Sequence, residues 1–313
     1  MSAEGSRPGT ISSPSDTARA ADPLGTTDNA SAAPSASAAS AEWRFPNRAT
    51  PPGSSAYYSV RLTAASHRDA LAALFAWRAE LRAILDQISD PGIARIKLDW
   101  WRVELERLFA GEPRHPLSEV LAPVVVAYQL PEQPFVALIA SVETALQNPR
   151  YPDLAAQRHA DEQDLGALFE LLARCEGVEF LARREGVVDE HPLAQARRAG
   201  GWCAQVRRIR DAGLLLRQGR EILPADQLAA AGLSQEGLAS ADGRARLPEL
   251  LRVLAEPLHS QPRESQLTPA VRIQRRLHQD LLAVLKRSGF DVVDQRIGLT
   301  PLRKLWLAWR MSL

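Results

Sequence analysis

The chain has 313 residues, 45% hydrophobic and 24% charged, with 38 Lys and Arg against 37 Asp and Glu for a formal net charge of +1. That length allows one large domain or two small ones around a well-buried core, and the balanced charge gives no pull toward nucleic acid, for which no recognition module is present. Two cysteines, Cys175 and Cys203, exclude a disulfide framework and a four-thiolate zinc site, and read as core thiols of a reducing compartment.

Residues 1 to about 41 are Ala, Ser, Pro, Gly and Thr with almost no large apolar side chains, too little to offset ordering entropy. The expected organisation is a disordered low-complexity tail, 1–53, followed by a single helical domain, 54–313. There is no signal-peptide core and no apolar run near the roughly 18 residues of a membrane span. Arg7 and Arg19 stand against Glu4, Asp16, Asp22 and Asp28, which argues against a transit peptide. A cytoplasmic protein is expected, with contact at the periphery of the inner membrane left open.

Helical spacing then runs nearly unbroken. Leu71, Leu74, Phe75, Leu81, Ile84, Leu85 and Ile88 mark one helix face, ended by "DPG" at 90–92. Ile93, Ile96, Trp100, Val103 and Leu108 mark a second helix. A third covers about 118–128, and a fourth turns Phe135, Leu138, Ile139, Val142 and Leu146 inward. After "NPRYPD" come Leu165, Leu168, Phe169, Leu172, Cys175 and Leu181. The next helix spans about 194–218, followed by two short helices with Ser234 capping the second. A long helix at about 267–288 and a short one in "LTPLRKLWLAWRMSL" close the chain. No alternating strand appears, so the fold class is all-α, a single-domain multi-helix bundle, whose ligand sites form between facing helices.

No phosphate loop, zinc-protease pair or nucleophile elbow is present, and the six histidines are scattered in polar contexts with no site role expected. The chemistry concentrates in "VRRIRDAGLLLRQGREILP", Val206–Pro224, where five arginines surround one aspartate. Around it, "SAYYSVRLTAASHRDALAALFAWRAELRAILD", "ARIKLDWWRVELERLFAGEPRHPL", "LPEQPFVALIASVETAL", "GREILPADQLAAAGLSQEGL" and "TPLRKLWLAWR" follow in order. This ordered series, from about residue 54 to 310, resembles the squalene and phytoene synthases. The resemblance implies an isoprenoid-synthase bundle. Two aspartate-rich motifs there face each other and hold Mg²⁺, which binds prenyl diphosphates and drives pyrophosphate departure.

The motifs here depart from that pattern. Arg82 and Ala83 stand at the first two aspartates of the first motif, and only Asp86 remains. In the second, Arg210 and Asp211 remain, Leu214 and Leu215 replace two carboxylates, and Ala204 and Arg207 replace the upstream Gln and Asn. Two of about six expected carboxylates survive beside arginines that repel metal. Asp86 and Asp211 are therefore remnants of metal-binding and catalytic positions. Arg82, Arg207, Arg208 and Arg210 are candidate diphosphate ligands through charge-assisted hydrogen bonds. Three readings stay open: bundle salt bridges, direct polyanion binding, and metal catalysis, which the charge count disfavours.

"AELRAILDQIS" and "RIKLDWWR" also resemble non-catalytic members of the family, among them a mitochondrial assembly factor of respiratory complex I. The leading expectation is a non-catalytic member with a hydrophobic inter-helix cavity, no cofactor, and an isoprenoid or other lipid as ligand. Assistance in assembling a membrane complex is a further role of that kind. The alternative is an active head-to-head prenyltransferase joining two prenyl diphosphates with Mg²⁺. The C-terminal Leu302, Leu305, Trp306 and Trp309, with Arg303, Lys304 and Arg310, fit either a membrane surface or a closing helix that packs its tryptophans on the bundle.

Overall fold

The computed structural model describes residues 41–182, 190–260 and 266–312. The expected low-complexity tail, up to residue 40, lies outside the described residues. The folded body begins earlier than residue 54. Trp43 is buried, and the buried Asn47 side chain donates to the carbonyls of Trp43 and Ala72 at 2.9 and 3.0 Å, tying residues 43–50 to the body.

Three of the early helices, Ser55–Arg61, Pro91–Ala110 and Pro116–Ala127, start where a side chain satisfies free backbone N–H groups. α1 (Ser55–Arg61) is capped by Ser54, which accepts from Tyr57 N at 3.0 Å. α2 (Arg68–Gln87) buries Leu71, Leu74, Trp77, Leu81 and Ile84 on one face. α3 (Pro91–Ala110) follows the Asp90 cap, with Pro91 in its first turn, and stops at Gly111, whose φ of 81° suits a residue without Cβ. α4 (Pro116–Ala127) and α5 (Gln133–Leu146) pack on α3, and α2 packs on both.

Of the five apolar residues that mark α3 in the sequence, Leu108 faces the core and the other four do not. Ala94, Leu98, Trp101, Leu105 and Leu108 are buried, whereas Ile93, Ile96, Trp100 and Val103 are 42–71% exposed. Glu104 shares the buried face because its carboxylate accepts from the N–H groups of Arg114 and His115 at 2.8 and 2.7 Å.

α6 (Leu154–Asp161) runs through a single π turn, Glu162–Gly166, into α7 (Ala167–Ala182), where the Leu181 side chain lies outside the described ones. The predicted 194–218 helix is two: α8 (Glu190–Arg210) and α9 (Ala212–Arg217), divided at Asp211. α10 (Ala225–Ala230) and α11 (Gln235–Leu238, capped by Ser234) precede α12 (Ala241–Ser260), a helix the sequence reading does not contain. α13 (Pro269–Arg287) and α14 (Pro301–Ser312) complete the bundle.

Among the described residues the arrangement is all helical, and one continuous apolar core links the helices. α8 lies at its centre against the π turn, α6, α7 and α13. The approach to the π turn is close because three glycines meet there. A Cβ on Gly200 would sit 2.5 Å from Gly166 Cα, and one on Gly201 would sit 2.6 Å from Glu162 Cγ. Cys175 and Cys203 are both buried in the core, as expected.

Candidate functional site

All six sequence-predicted residues line one cavity of about 780 Å³ between α2, α5, α6, the π turn and α8. Arg82 and Asp86 come from the last turns of α2, Arg207, Arg208 and Arg210 from the end of α8, and Asp211 from the break after it. The last turn of a helix leaves carbonyls free, so cations are favoured there. Of the two leucines replacing motif carboxylates, Leu215 forms part of the cavity wall and Leu214 is 43% exposed.

The carboxylate count read from the sequence is too low. Asp161 and Asp164, one turn apart across the π segment, reach the same space, as does Glu221 beyond α9. Five carboxylates therefore line the cavity, but seven arginines do too: Arg78, Arg82, Arg207, Arg208, Arg210, Arg220 and Arg296. The expected hydrophobic character is likewise corrected. Ala140, Ala145, Ala160, Ala204 and Leu215 give apolar patches, and twelve charged side chains are set among them.

Ion pairs occupy most of the acids. Arg78 grips Asp164 with two hydrogen bonds of 2.7 and 2.6 Å, and Arg82 approaches the same carboxylate at 3.6 Å. Burial pushes the Asp164 carboxyl up, but Arg78 and Arg82 outweigh it and hold it at about 2. Arg208 donates to Asp161 at 2.6 Å; burial still leaves the Asp161 carboxyl above the ordinary range. Asp211 accepts from Arg210 at 2.9 and 2.5 Å and from Arg296 at 2.9 Å, which overcomes its burial and lowers its carboxyl. Asp86 makes no ion pair among the described residues. Glu221, raised by burial to about 7, accepts from Tyr151 N.

Arg207 differs from its neighbours. Its Nε donates to His278 Nε2 at 2.9 Å, while His278 Nδ1 lies 2.7 Å from the Gln274 carbonyl. The ring is thus neutral with its proton on Nδ1, an arrangement burial favours by pulling the histidine pKa well down. A neutral imidazole supplies no counter-charge. Burial, with Arg78 and Arg210 nearby, lowers Arg207 to about 9. Sequence reasoning assigned no site role to the histidines, yet His278 orients Arg207 and His159 lies on the cavity wall.

Arg78, Arg207, Arg210 and Arg296 also face a second chamber of about 520 Å³, where Arg48 and Lys304 join them and, among the described residues, no carboxylate lines the wall. Arg48 pairs outside it with Glu80 at 2.5 Å.

Magnesium needs several carboxylate oxygens free to converge. Here Asp161, Asp164 and Asp211 are held by arginines, and among the described residues no three His, Cys, Asp or Glu side chains are grouped to hold a metal ion. The donor set does not fit a Mg²⁺ cluster. What the arrangement can do is bind a polyanion in a confined, arginine-lined space.

The family model described as squalene/phytoene synthase matches residues 49–305. Phytoene synthase 1 of Arabidopsis thaliana is 28% identical over 183 residues, which cover 58% of this chain and 42% of that protein, so the chain matches well under half the length of such relatives. Phytoene synthase of Arthrospira platensis is 25% identical over 263 residues, covering 80% of this chain and 85% of the relative. Among solved structures, squalene synthase HpnC from Alicyclobacillus acidocaldarius superposes with a TM-score of 0.64 at 20% identity over 78% of this chain and 92% of that one. A dehydrosqualene synthase in complex with ligand gives 0.64 at 14% identity, over 82% and 90%.

Proposed function

The chain belongs to the squalene/phytoene synthase family, and from that premise we propose that it is a non-catalytic member: an arginine-lined receptor for the diphosphate head group of an isoprenoid or related lipid. The observation that carries this reading is the charge of the cavity, seven arginines with three of five carboxylates already ion-paired. Diphosphate departure leaves a polyanion behind, and a Lewis acid is what ordinarily offsets that charge. Guanidinium groups bind the same oxygens with charge-assisted hydrogen bonds but do not supply that Lewis acidity. Binding without a cofactor and without turnover follows. A membrane surface or a membrane-complex subunit is the partner class on this reading, at the cytoplasmic periphery of a bilayer. No helix among the described residues is long and apolar enough to cross one.

The competing reading is an active prenyltransferase, and Asp86 favours it because it is not held in an ion pair. One experiment separates the two. Farnesyl diphosphate is titrated calorimetrically in EDTA, and pyrophosphate release is then followed with Mg²⁺. Binding in EDTA with no release supports the receptor. Mg²⁺-dependent release that disappears in Asp211→Ala or Asp86→Ala would establish the enzyme instead.

A further inference from the structure

Arg78, Arg207, Arg210 and Arg296 stand between the two chambers and line both. Three of them are committed to carboxylates: Arg78 holds Asp164, and Arg210 and Arg296 share Asp211. The remaining cations of the second chamber are engaged as well, Arg48 with Glu80 and Lys304 with the Gly53 carbonyl. Arg207 is the exception. Among the described residues it forms no ion pair, and the hydrogen bond it makes runs from Nε to His278 Nε2 at 2.9 Å. Its two Nη groups have no acceptor among those residues and lie on the wall that the chambers share. Arg220 makes no ion pair either, but it lines the first chamber alone.

The kind of acceptor at position 278 decides what Arg207 has left to offer. A carboxylate there would take the charge along with the hydrogen bond, as Asp164 does for Arg78. An imidazole accepts at Nε2 while its proton sits on Nδ1, and the Gln274 carbonyl, 2.7 Å from Nδ1, holds the proton on that side. The ring has no freedom to turn away. His278 is 2% exposed, and Gln274 is itself tied down, its amide donating to Ser59 Oγ at 3.0 Å while Ser59 donates to the Ala56 carbonyl. A buried polar line thus runs from α1 through α13 to the end of α8.

A guanidinium fixed at Nε presents its far edge, Nη1 and Nη2, whose spacing matches two oxygens of one phosphoryl group. We propose that Arg207 is the anion anchor common to both chambers, gripping one phosphoryl group of the ligand end-on. His278 is its positioning residue, a neutral ring that orients the guanidinium without neutralising it. This assignment rests on the reading of the site as a diphosphate receptor and identifies the residue pair on which recognition turns.

The test is a pair of variants that differ in charge and not in shape. His278→Gln puts a neutral amide oxygen near the place of Nε2, and His278→Glu puts a carboxylate there. The full chain of each is titrated calorimetrically in EDTA with farnesyl diphosphate and with inorganic pyrophosphate, and its Tm is measured. His278→Gln should bind both within about threefold of the parent, since a neutral acceptor is kept. His278→Glu should bind both at least about tenfold more weakly than His278→Gln, with a Tm no lower, because the new carboxylate pairs with Arg207. A residue with a purely structural role would lose affinity and Tm together.

Should His278→Glu fail to fold, a cycle through His278→Leu and Arg207→Met carries the test. His278→Leu alone should weaken binding at least about fivefold, with no further loss when it is added to Arg207→Met. Equal affinities in His278→Gln and His278→Glu, or additive losses in the cycle, overturn the assignment. So does a loss confined to farnesyl diphosphate, which would place the effect on the tail. A parent that binds neither ligand removes the receptor reading and the assignment with it. A parent that binds both, matched by His278→Glu, removes the assignment alone.

Discussion

Replacing Arg207 by methionine separates a functional cation from a structural one. Burial and the neighbouring Arg78 and Arg210 lower its pKa from 12.5 to about 9. At 1.36 kcal/mol per pH unit, that gap bounds the penalty on the charged form at about 5 kcal/mol, and relaxation of the surroundings reduces it to roughly half. The group is still protonated at pH 7, so the folded state carries the whole penalty below about pH 9 and sheds it as pH climbs toward 12.5. Methionine removes the charge and keeps most of the volume, but it leaves His278 Nε2 without its donor, which costs about 1–2 kcal/mol. The balance is a variant more stable by about 1 kcal/mol, a rise in Tm of about 2 °C for a chain of this size. Diphosphate affinity moves the other way. One charge-assisted hydrogen bond is worth about 1.5–3 kcal/mol, so Kd should rise about 10- to 100-fold. Thermal unfolding and calorimetry with farnesyl diphosphate in EDTA read both quantities on one preparation. A variant destabilised by more than about 1 kcal/mol with unchanged affinity would make Arg207 scaffold and refute the receptor argument.

Asp164→Asn tests the opposite member of the site. Its carboxyl lies at about 2 rather than 3.8, so loss of the charge should destabilise the chain by about 2.5 kcal/mol at pH 7. That difference is present above about pH 4 and should vanish in urea titrations as pH falls from 3.8 to 2, while release of Arg78 and Arg82 tightens diphosphate binding. Glu221 is raised to about 7 by burial, so it becomes anionic near Arg208 and Arg150 as pH rises from 6 to 8. Parental diphosphate affinity should drop over that range more steeply than in Glu221→Gln, and identical pH profiles would exclude Glu221 from the site's electrostatics. Gly200→Ala places a Cβ 2.5 Å from Gly166 Cα and should lower stability by about 1–3 kcal/mol. An unchanged Tm would show that α8 and the π turn are not in close contact.

Much of the helical order is legible because caps and breakers sit at the turns: Asp90, Gly111, Asp153 and Ser234 all act where the sequence places a boundary. The face of α3 is not, because two stripes with the same helical spacing interleave there, 93/96/100/103 and 94/98/101/105/108. Periodicity cannot rank them, and Glu104 misleads, since a buried carboxylate capping backbone N–H groups ten and eleven residues away looks polar and therefore exposed. α12 is hidden by Pro248 and Pro257, which read as breakers although the helix runs through both. Gly213, two residues past the break at Asp211, lies so near the Val292 and Val293 carbonyls that any Cβ would clash with them.

At the site, the arginines are legible because they cluster in one stretch, and the acids are not because their partners are remote. Asp164 meets Arg78 across 86 residues and Asp161 meets Arg208 across 47. The one local signal is the acidic run Asp161, Glu162 and Asp164 just before Gly166, opposite Gly200 and Gly201, small residues that let two helices close together. Counting these acids does not restore a metal site; it clarifies why the arginines are tolerated. A cavity built for divalent cations must be net negative before they arrive, since the metals supply the balancing charge. This one has seven arginines against five carboxylates, so it retains a surplus of two positive charges with every acid ionised, and more when Glu221 is protonated. The sign of that surplus is matched by an anion, and a diphosphate head group supplies at least as much negative charge as the cavity lacks. Cations entering first would meet repulsion from Arg207 and Arg220 and carboxylates already committed to other arginines. Binding is therefore expected to proceed without metal, and added Mg²⁺ should compete by sequestering the ligand rather than assist.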